Sequence, residues 1–63
     1  MIQITLAAAR VNKGLTQIEA ARQIGVSVTS IKNWEAGRTY PNQPQIEKLC
    51  KVYGVTYDNL FFA

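Results

Sequence analysis

The sequence contains no histidine, a single cysteine and only four acidic residues. Without histidine it lacks the usual ligands of zinc and haem sites, and one cysteine cannot form an internal disulfide or a cysteine-based metal cluster. We therefore expect no metal and no cofactor, in a reducing, cytoplasmic environment. Cys50 lies on a predicted apolar helix face, where buried packing explains it better than a reactive thiol does.

Long apolar runs are also absent. No segment approaches the roughly 18 uninterrupted apolar residues of a membrane span, and residues 1–10 lack the basic start and apolar run of a signal peptide. Apolar residues nevertheless make up 48% of the 63 residues, which favours a compact globular fold. A chain of this length has room for one core, so we predict a single domain over residues 1–63 without a deep enzymatic cleft.

The small net charge of +3 is unevenly distributed. All of the excess lies in residues 1–40, where five basic residues face only Glu19 and Glu35: Arg10, Lys13, Arg22, Lys32 and Arg38. A one-sided positive field favours a polyanionic partner such as nucleic acid. A solvated surface that keeps the protein soluble explains the charge equally well.

Capping residues and glycines divide the chain into helices. Five predicted helices follow residues whose side chains can accept from a free backbone N–H: Thr5, Thr16, Ser27, Asn42 and Thr56. The first four end at a residue favoured just past a helix: Gly14, Gly25, Gly37 and Gly54. Thr16 and Glu19 also match a capping box. Because no useful length alternates with strand periodicity, we predict an all-α fold, a compact bundle of five short helices.

Helical periodicity separates a packing side from an outward side. In the second helix the predicted packing side carries Ile18, Ala20, Ala21 and Ile24. In the third it carries Ile31 and Trp34, and we interpret Trp34 as a core anchor. The opposite arc of the third helix, called the outer face below, carries Val28, Thr29, Lys32 and Asn33, with Ser30 at its boundary.

Two functions can be considered for the outer face, nucleophilic catalysis and DNA recognition. Thr29 and Lys32 lie one turn apart, as in a Ser/Lys nucleophile motif, but the chain has no histidine base and too little volume for a walled oxyanion site, so we predict no enzyme. The second and third helices, about residues 16–36, instead form a helix-turn-helix, whose second helix enters the DNA major groove. There asparagine pairs with adenine, lysine with guanine, and valine or threonine methyl groups with thymine.

The segment GLTQIEAARQIGVSVTSIKNWEAGR, residues 14–38, resembles the helix-turn-helix of the phage Cro and repressor type, the XRE family, and the likeness extends from LAAARVNKGLTQ to KVYGVTYDNL. The resemblance implies a lambda-repressor-like bundle of five helices, with base contacts from the outer face. It implies DNA phosphate contacts from four residues: Gln17, Ser30, Arg38 and Tyr40. Ordinary polar and solvated roles remain the alternatives for Gln17 and Arg38. An ion pair between Arg10 and Glu35 is implied as well.

Four residues depart from the family pattern. Ala9 and Ala20 stand where leucines are frequent, and Val11 and Ile18 stand where polar residues are frequent. One explanation is that apolar volume has moved to the edge between the first two helices. The other is that Val11 and Ile18 form an exposed patch for another protein.

These features together predict a sequence-specific DNA-binding transcriptional regulator, a cytoplasmic bacterial or phage repressor found with the nucleoid when bound. It is expected to bind a two-fold operator in double-stranded DNA as a homodimer, without a small-molecule ligand. Tyr57, Phe61 and Phe62 either form the dimer surface or close the core of the monomer. The alternative function is a protein-interaction module of the same fold, antitoxin-like or anti-repressor.

Overall fold

The structure, a computed structural model, describes residues 3–62. Its α-helices are α1 (Leu6–Asn12), α2 (Gln17–Ile24), α3 (Val28–Ala36) and α4 (Gln43–Tyr53). Strand β1 (Ile4–Thr5) precedes α1, and strand β2 (Leu60–Phe61) follows a 3-10 turn at Tyr57–Asn59. Residues 1, 2 and 63 of the predicted domain lie outside the described residues. Across residues 3–62, no helix has the length and apolar character needed to cross a membrane.

The four helices begin where the sequence predicts, and α2, α3 and α4 also end at the predicted glycines, whereas α1 ends at Asn12, one residue before the predicted Lys13. Each predicted N-cap side chain accepts a hydrogen bond from the backbone N–H three residues on: Thr5, Thr16, Ser27 and Asn42. At Thr16 the predicted capping box is complete, because its backbone N–H donates to Glu19 Oε1 at 2.9 Å. That hydrogen bond lowers the pKa of Glu19. Local capping chemistry therefore sets the helix boundaries.

The predicted fifth helix is wrong, and residues 3–62 contain four α-helices. The Thr56 hydroxyl donates to the side-chain oxygen of Asn59 and makes no side-chain cap to the backbone of the 3-10 turn. After that turn β2 pairs in parallel with β1, so that Ile4 lies opposite Leu60. This pairing holds the chain extended and buries Leu60 in the core. The last turn therefore stops after three residues.

The core closes around α2, which contacts both α3 and α4. The largest fully buried side chains are Ile24 of α2, Ile31 of α3 and Leu49 of α4. Trp34 is buried beside them, as predicted for a core anchor. Ala20 is fully buried, and its small side chain permits a close approach of the neighbouring elements.

Ile18 does not lie on the packing side of α2, contrary to the prediction. Its side chain is 61% exposed, and so is that of Val11 on α1. At about 100° per residue, Ile18 lies roughly 120° around the helix from the buried Ile24, outside the packed arc. Apolar volume has therefore not moved to the edge between α1 and α2, and both side chains face solvent.

Arg10 of α1 and Glu35 of α3 meet across the fold. Arg10 Nε lies 2.8 Å from Glu35 Oε2, and Arg10 Nη1 donates to the Leu15 carbonyl oxygen at 2.8 Å. Glu35 Oε1 also accepts from Gln17 Nε2 at 3.0 Å. The two charged side chains are only 14% and 10% exposed. The hydrogen bond to Glu35 raises the pKa of Arg10 in spite of its desolvation.

Removing one partner of this ion pair leaves the other charge partly buried. We expect Glu35→Ala to lower the free energy of unfolding by about 2–4 kcal/mol, measured from urea denaturation midpoints. The control, Glu47→Ala on the exposed side of α4, should change it by less than about 0.5 kcal/mol. The double variant Arg10→Met with Glu35→Leu should regain part of the loss. Equal stability of Glu35→Ala and Glu47→Ala would contradict this role.

Because the ring of Tyr53 is buried, we expect the protein to lose stability in alkaline solution. Burial raises the pKa of Tyr53 from 10 to about 12. Its neutral form is therefore favoured in the folded protein, and the resulting stability is complete below pH 10 and lost as the pH rises to 12. We expect the difference in unfolding free energy between wild type and Tyr53→Phe to shift by roughly 2–3 kcal/mol across this window. If the unfolding free energies of wild type and Tyr53→Phe changed equally across this window, the proposed effect of Tyr53 ionisation would be contradicted.

Candidate nucleic-acid interface

A tight turn fixes the angle between α2 and α3. Gly25 ends α2 with a φ of 86°, and its N–H and that of Val26 both donate to the Ala21 carbonyl oxygen, at 2.8 and 3.0 Å. The left-handed conformation suits glycine because it has no Cβ. Ser27 then caps α3. The two helices and the turn between them form a helix-turn-helix.

The outer face of α3 is presented to solvent by the packing of the opposite side. Ile31 and Trp34 are buried, so the α3 backbone is anchored. On the outer face Thr29 and Lys32 are exposed, while Val28 and Asn33 are half-buried. These four predicted base contacts therefore share one surface, with a hydroxyl, an ammonium, an amide and an apolar side chain.

The predicted phosphate contacts Gln17 and Ser30 both have partners within the protein. Gln17, the first residue of α2, donates to Glu35 and is half-buried. The Ser30 hydroxyl lies 3.1 Å from the Ser27 hydroxyl at the start of α3. The sequence did not indicate either contact. Both side chains are consequently oriented by the same elements that position α3.

Arg38 follows α3 in a position fixed by the backbone. Gly37 has a φ of 76°, and the Arg38 N–H donates to the Asn33 carbonyl oxygen at 3.0 Å. The same hydrogen bond, to the residue five positions earlier, is made after the other three helices by partly buried apolar residues: Leu15, Val26 and Val55. Only at the end of α3 does an exposed charged side chain occupy this place. The turn thus directs a guanidinium into solvent.

Tyr40 lies with the aromatic residues at the end of the described chain. Its ring is 6.4 Å from that of Phe62 in an edge-on arrangement, and the rings of Phe62 and Tyr57 are 6.2 Å apart. Tyr57 and Phe61 remain 57% and 49% exposed, and Phe62 is half-buried. A groove of about 320 Å³ runs between Tyr40, Tyr57 and Phe62 and two further residues: Pro41 and Ile46.

A second concavity, of about 290 Å³, opens between the start of α2 and the outer face of α3. It is lined by Thr16, Gln17, Ile18, Val28 and Lys32. The sequence did not indicate that Thr16 or Ile18 lies on this surface. The available signal was Ile18 itself, an apolar residue where the family pattern favours a polar one.

Comparison with known proteins identifies relatives that are longer than this chain. It is 43% identical over 51 residues to the HTH-type transcriptional activator BcrR of Enterococcus faecalis, covering 81% of this chain and 25% of that protein. It is 40% identical over 50 residues to multiprotein-bridging factor 1 of Eremothecium gossypii, covering 79% of this chain and 33% of that protein. The chain thus spans a quarter to a third of these relatives. No solved structure matches it.

The family comparison covers nearly all of the described fold. Residues 6–60 match the helix-turn-helix family, a span that runs from the first residue of α1 to the first residue of β2. This span includes the helix-turn-helix, the ion pair between Arg10 and Glu35 and the loop that carries Arg38. The chain therefore belongs to the XRE family of helix-turn-helix domains.

Proposed function

We propose that the chain is the sequence-specific DNA-binding module of a transcriptional regulator. The proposal rests on the outer face of α3, which presents hydrogen-bonding and apolar side chains. This helix is the second of a helix-turn-helix, and the buried Ile31 and Trp34 anchor it. A helix of this kind fits the DNA major groove, where each base pair presents a distinct pattern of donors and acceptors. Helix-turn-helix domains are also generally not enzymes.

The outer face supplies complementary groups for base edges. Asn33 can bind adenine in a bidentate manner, and Lys32 can donate to guanine. Thr29 can donate or accept, and Val28 offers methyl groups. Because Val28 and Asn33 are half-buried, less side-chain freedom is lost when they bind.

Phosphate contacts are proposed for the surrounding polar residues. Gln17 lies in the first turn of α2, where free backbone N–H groups and the helix dipole favour an anion. Arg38 projects from the loop after α3, and Ser30 and Tyr40 are the remaining candidates. Such contacts fix the orientation of the protein on the duplex without reading its sequence.

The regulatory role is proposed from the relatives. One relative carries the name of a transcriptional activator, which supports transcription regulation for this chain. We propose that this module represses transcription when it acts by itself. A protein bound over a promoter excludes polymerase, whereas activation needs a contact in addition to DNA binding. In vitro transcription from a promoter that overlaps the preferred site should therefore decrease as the protein is added.

Binding to a two-fold operator as a homodimer is part of the proposal. Tyr57 exposes aromatic surface in the groove beside Phe62, and Phe61 exposes further aromatic surface next to Phe62 in sequence. Burial of such surface between two copies would stabilise a dimer. We expect Phe61→Ser to weaken DNA binding by shifting the protein to monomers, as measured by analytical ultracentrifugation. A monomer on a single half-site would overturn this part.

A protein-interaction module is the second candidate function. The name of the second relative, multiprotein-bridging factor 1, describes that protein as one that bridges proteins. The exposed Val11 and Ile18 side chains also offer apolar surface to a partner. An interaction module would not require the outer face of α3 to distinguish base pairs.

Selection of duplexes from a random library at fixed salt separates these candidates. We expect an inverted repeat with half-sites about 34 Å apart, and an affinity that falls steeply as salt rises, with a slope of about 0.9 per phosphate neutralised. An absence of sequence enrichment together with a flat salt dependence would reject DNA recognition.

Two single variants distinguish base contacts from phosphate contacts. Asn33→Ala should lose about 1–3 kcal/mol on the preferred duplex and relax discrimination at one base pair, whereas Arg38→Ala should weaken all duplexes similarly and reduce the salt slope by about 1 per protomer. Fluorescence anisotropy measures both effects. The controls are Asn12→Ala and Lys51→Ala, which remove exposed residues of α1 and α4 and should leave binding unchanged. An unaltered base preference in Asn33→Ala would contradict its assigned role.

A further inference from the structure

The exposed side chain of Ile18 has a specific neighbour on α3. Ile18 lies in the first turn of α2, and it lines the same concavity as Val28, the first residue of α3. Val28 packs against the core and is half-buried, so the core fixes one apolar wall. Ile18, 61% exposed, supplies a second apolar wall from the other helix.

The rim of this concavity is suited to a nucleic acid. Lys32, one turn after Val28, contributes an ammonium group, and Thr16 and Gln17 contribute polar side chains at the positive end of α2. An apolar partner protein would be expected to avoid a cationic rim, whereas DNA brings phosphates close to its base edges. In the major groove, the only apolar group that a standard base pair presents is the C5 methyl group of thymine.

We propose that Ile18 and Val28 together form a cup for the C5 methyl group of one thymine in each half-site. The proposal rests on the proposed DNA-binding function and adds a specificity-determining residue from α2 to those of α3. Contact from two helices encloses the methyl group on two sides, which a single side chain of α3 cannot do. Ile18 thereby acquires a role that its position outside the core does not explain.

Replacement of thymine by deoxyuridine tests the cup directly, because it removes only the methyl group. In the preferred duplex recovered from the random library, each thymine is replaced in turn and affinity is measured by fluorescence anisotropy. We expect one position per half-site at which deoxyuridine weakens wild-type binding about fourfold, the effect of burying one methyl group. In Ile18→Ala the thymine and deoxyuridine duplexes should bind almost equally.

Val11→Ala is the matched control, because Val11 is as exposed as Ile18 but does not line the concavity. This variant should retain the fourfold preference, and both variants should unfold at the wild-type urea midpoint, as expected for exposed positions. The cup is rejected if no thymine position discriminates, or if the discrimination survives in Ile18→Ala. Selective duplex binding without discrimination overturns the cup alone, whereas failure to select any duplex overturns the proposed function as well.

Discussion

The partly buried contact between Arg10 and Glu35 is the constraint on which the presentation of α3 depends. One carboxylate binds the guanidinium of α1 and the amide of Gln17, while the guanidinium also binds the Leu15 carbonyl oxygen. These bonds connect the first helix, the loop that follows it, the start of α2 and the last turn of α3. Because the charges are largely removed from water, their hydrogen bonds must offset a substantial desolvation penalty, and only a narrow range of helix positions allows this. The angle of the outer face is therefore set at both ends of α3, by this contact and by the Gly25 turn.

Local chemistry made the four helices predictable from the sequence. A capping side chain and a terminal glycine act within a few residues, so their effect does not depend on the rest of the fold. The failure at Thr56 has the opposite cause. Its cap competes with pairing between β2 and β1, two segments more than 50 residues apart in sequence, and nothing near Thr56 indicates that pairing. Two residues per strand are also too few to produce a visible alternation.

In the candidate site, too, some features could be predicted from the sequence and others could not. Periodicity separated the outer face of α3 from Ile31 and Trp34, since burial of one side of a helix leaves the other exposed. It could not predict that Gln17 binds Glu35, because that contact depends on how three elements meet. It also misplaced Ile18 at the margin of a short helix, where a small angular difference determines whether a side chain is covered. The Arg38 side chain stands out only when the four helix ends are compared, since the equivalent residues are apolar and partly buried at the other three.

The parallel pairing of β1 and β2 has a mechanical consequence. Because the two strands run in the same direction, with Ile4 opposite Leu60 and Thr5 opposite Phe61, chain before residue 4 and chain after residue 61 leave the ladder at opposite ends. A pulling force applied through both flanks acts along the strands. It therefore loads the hydrogen bonds of the ladder together, in shear, whereas an antiparallel pair pulled from one end would open one bond at a time. Tension transmitted through flanking chain would meet this ladder before it reached α3.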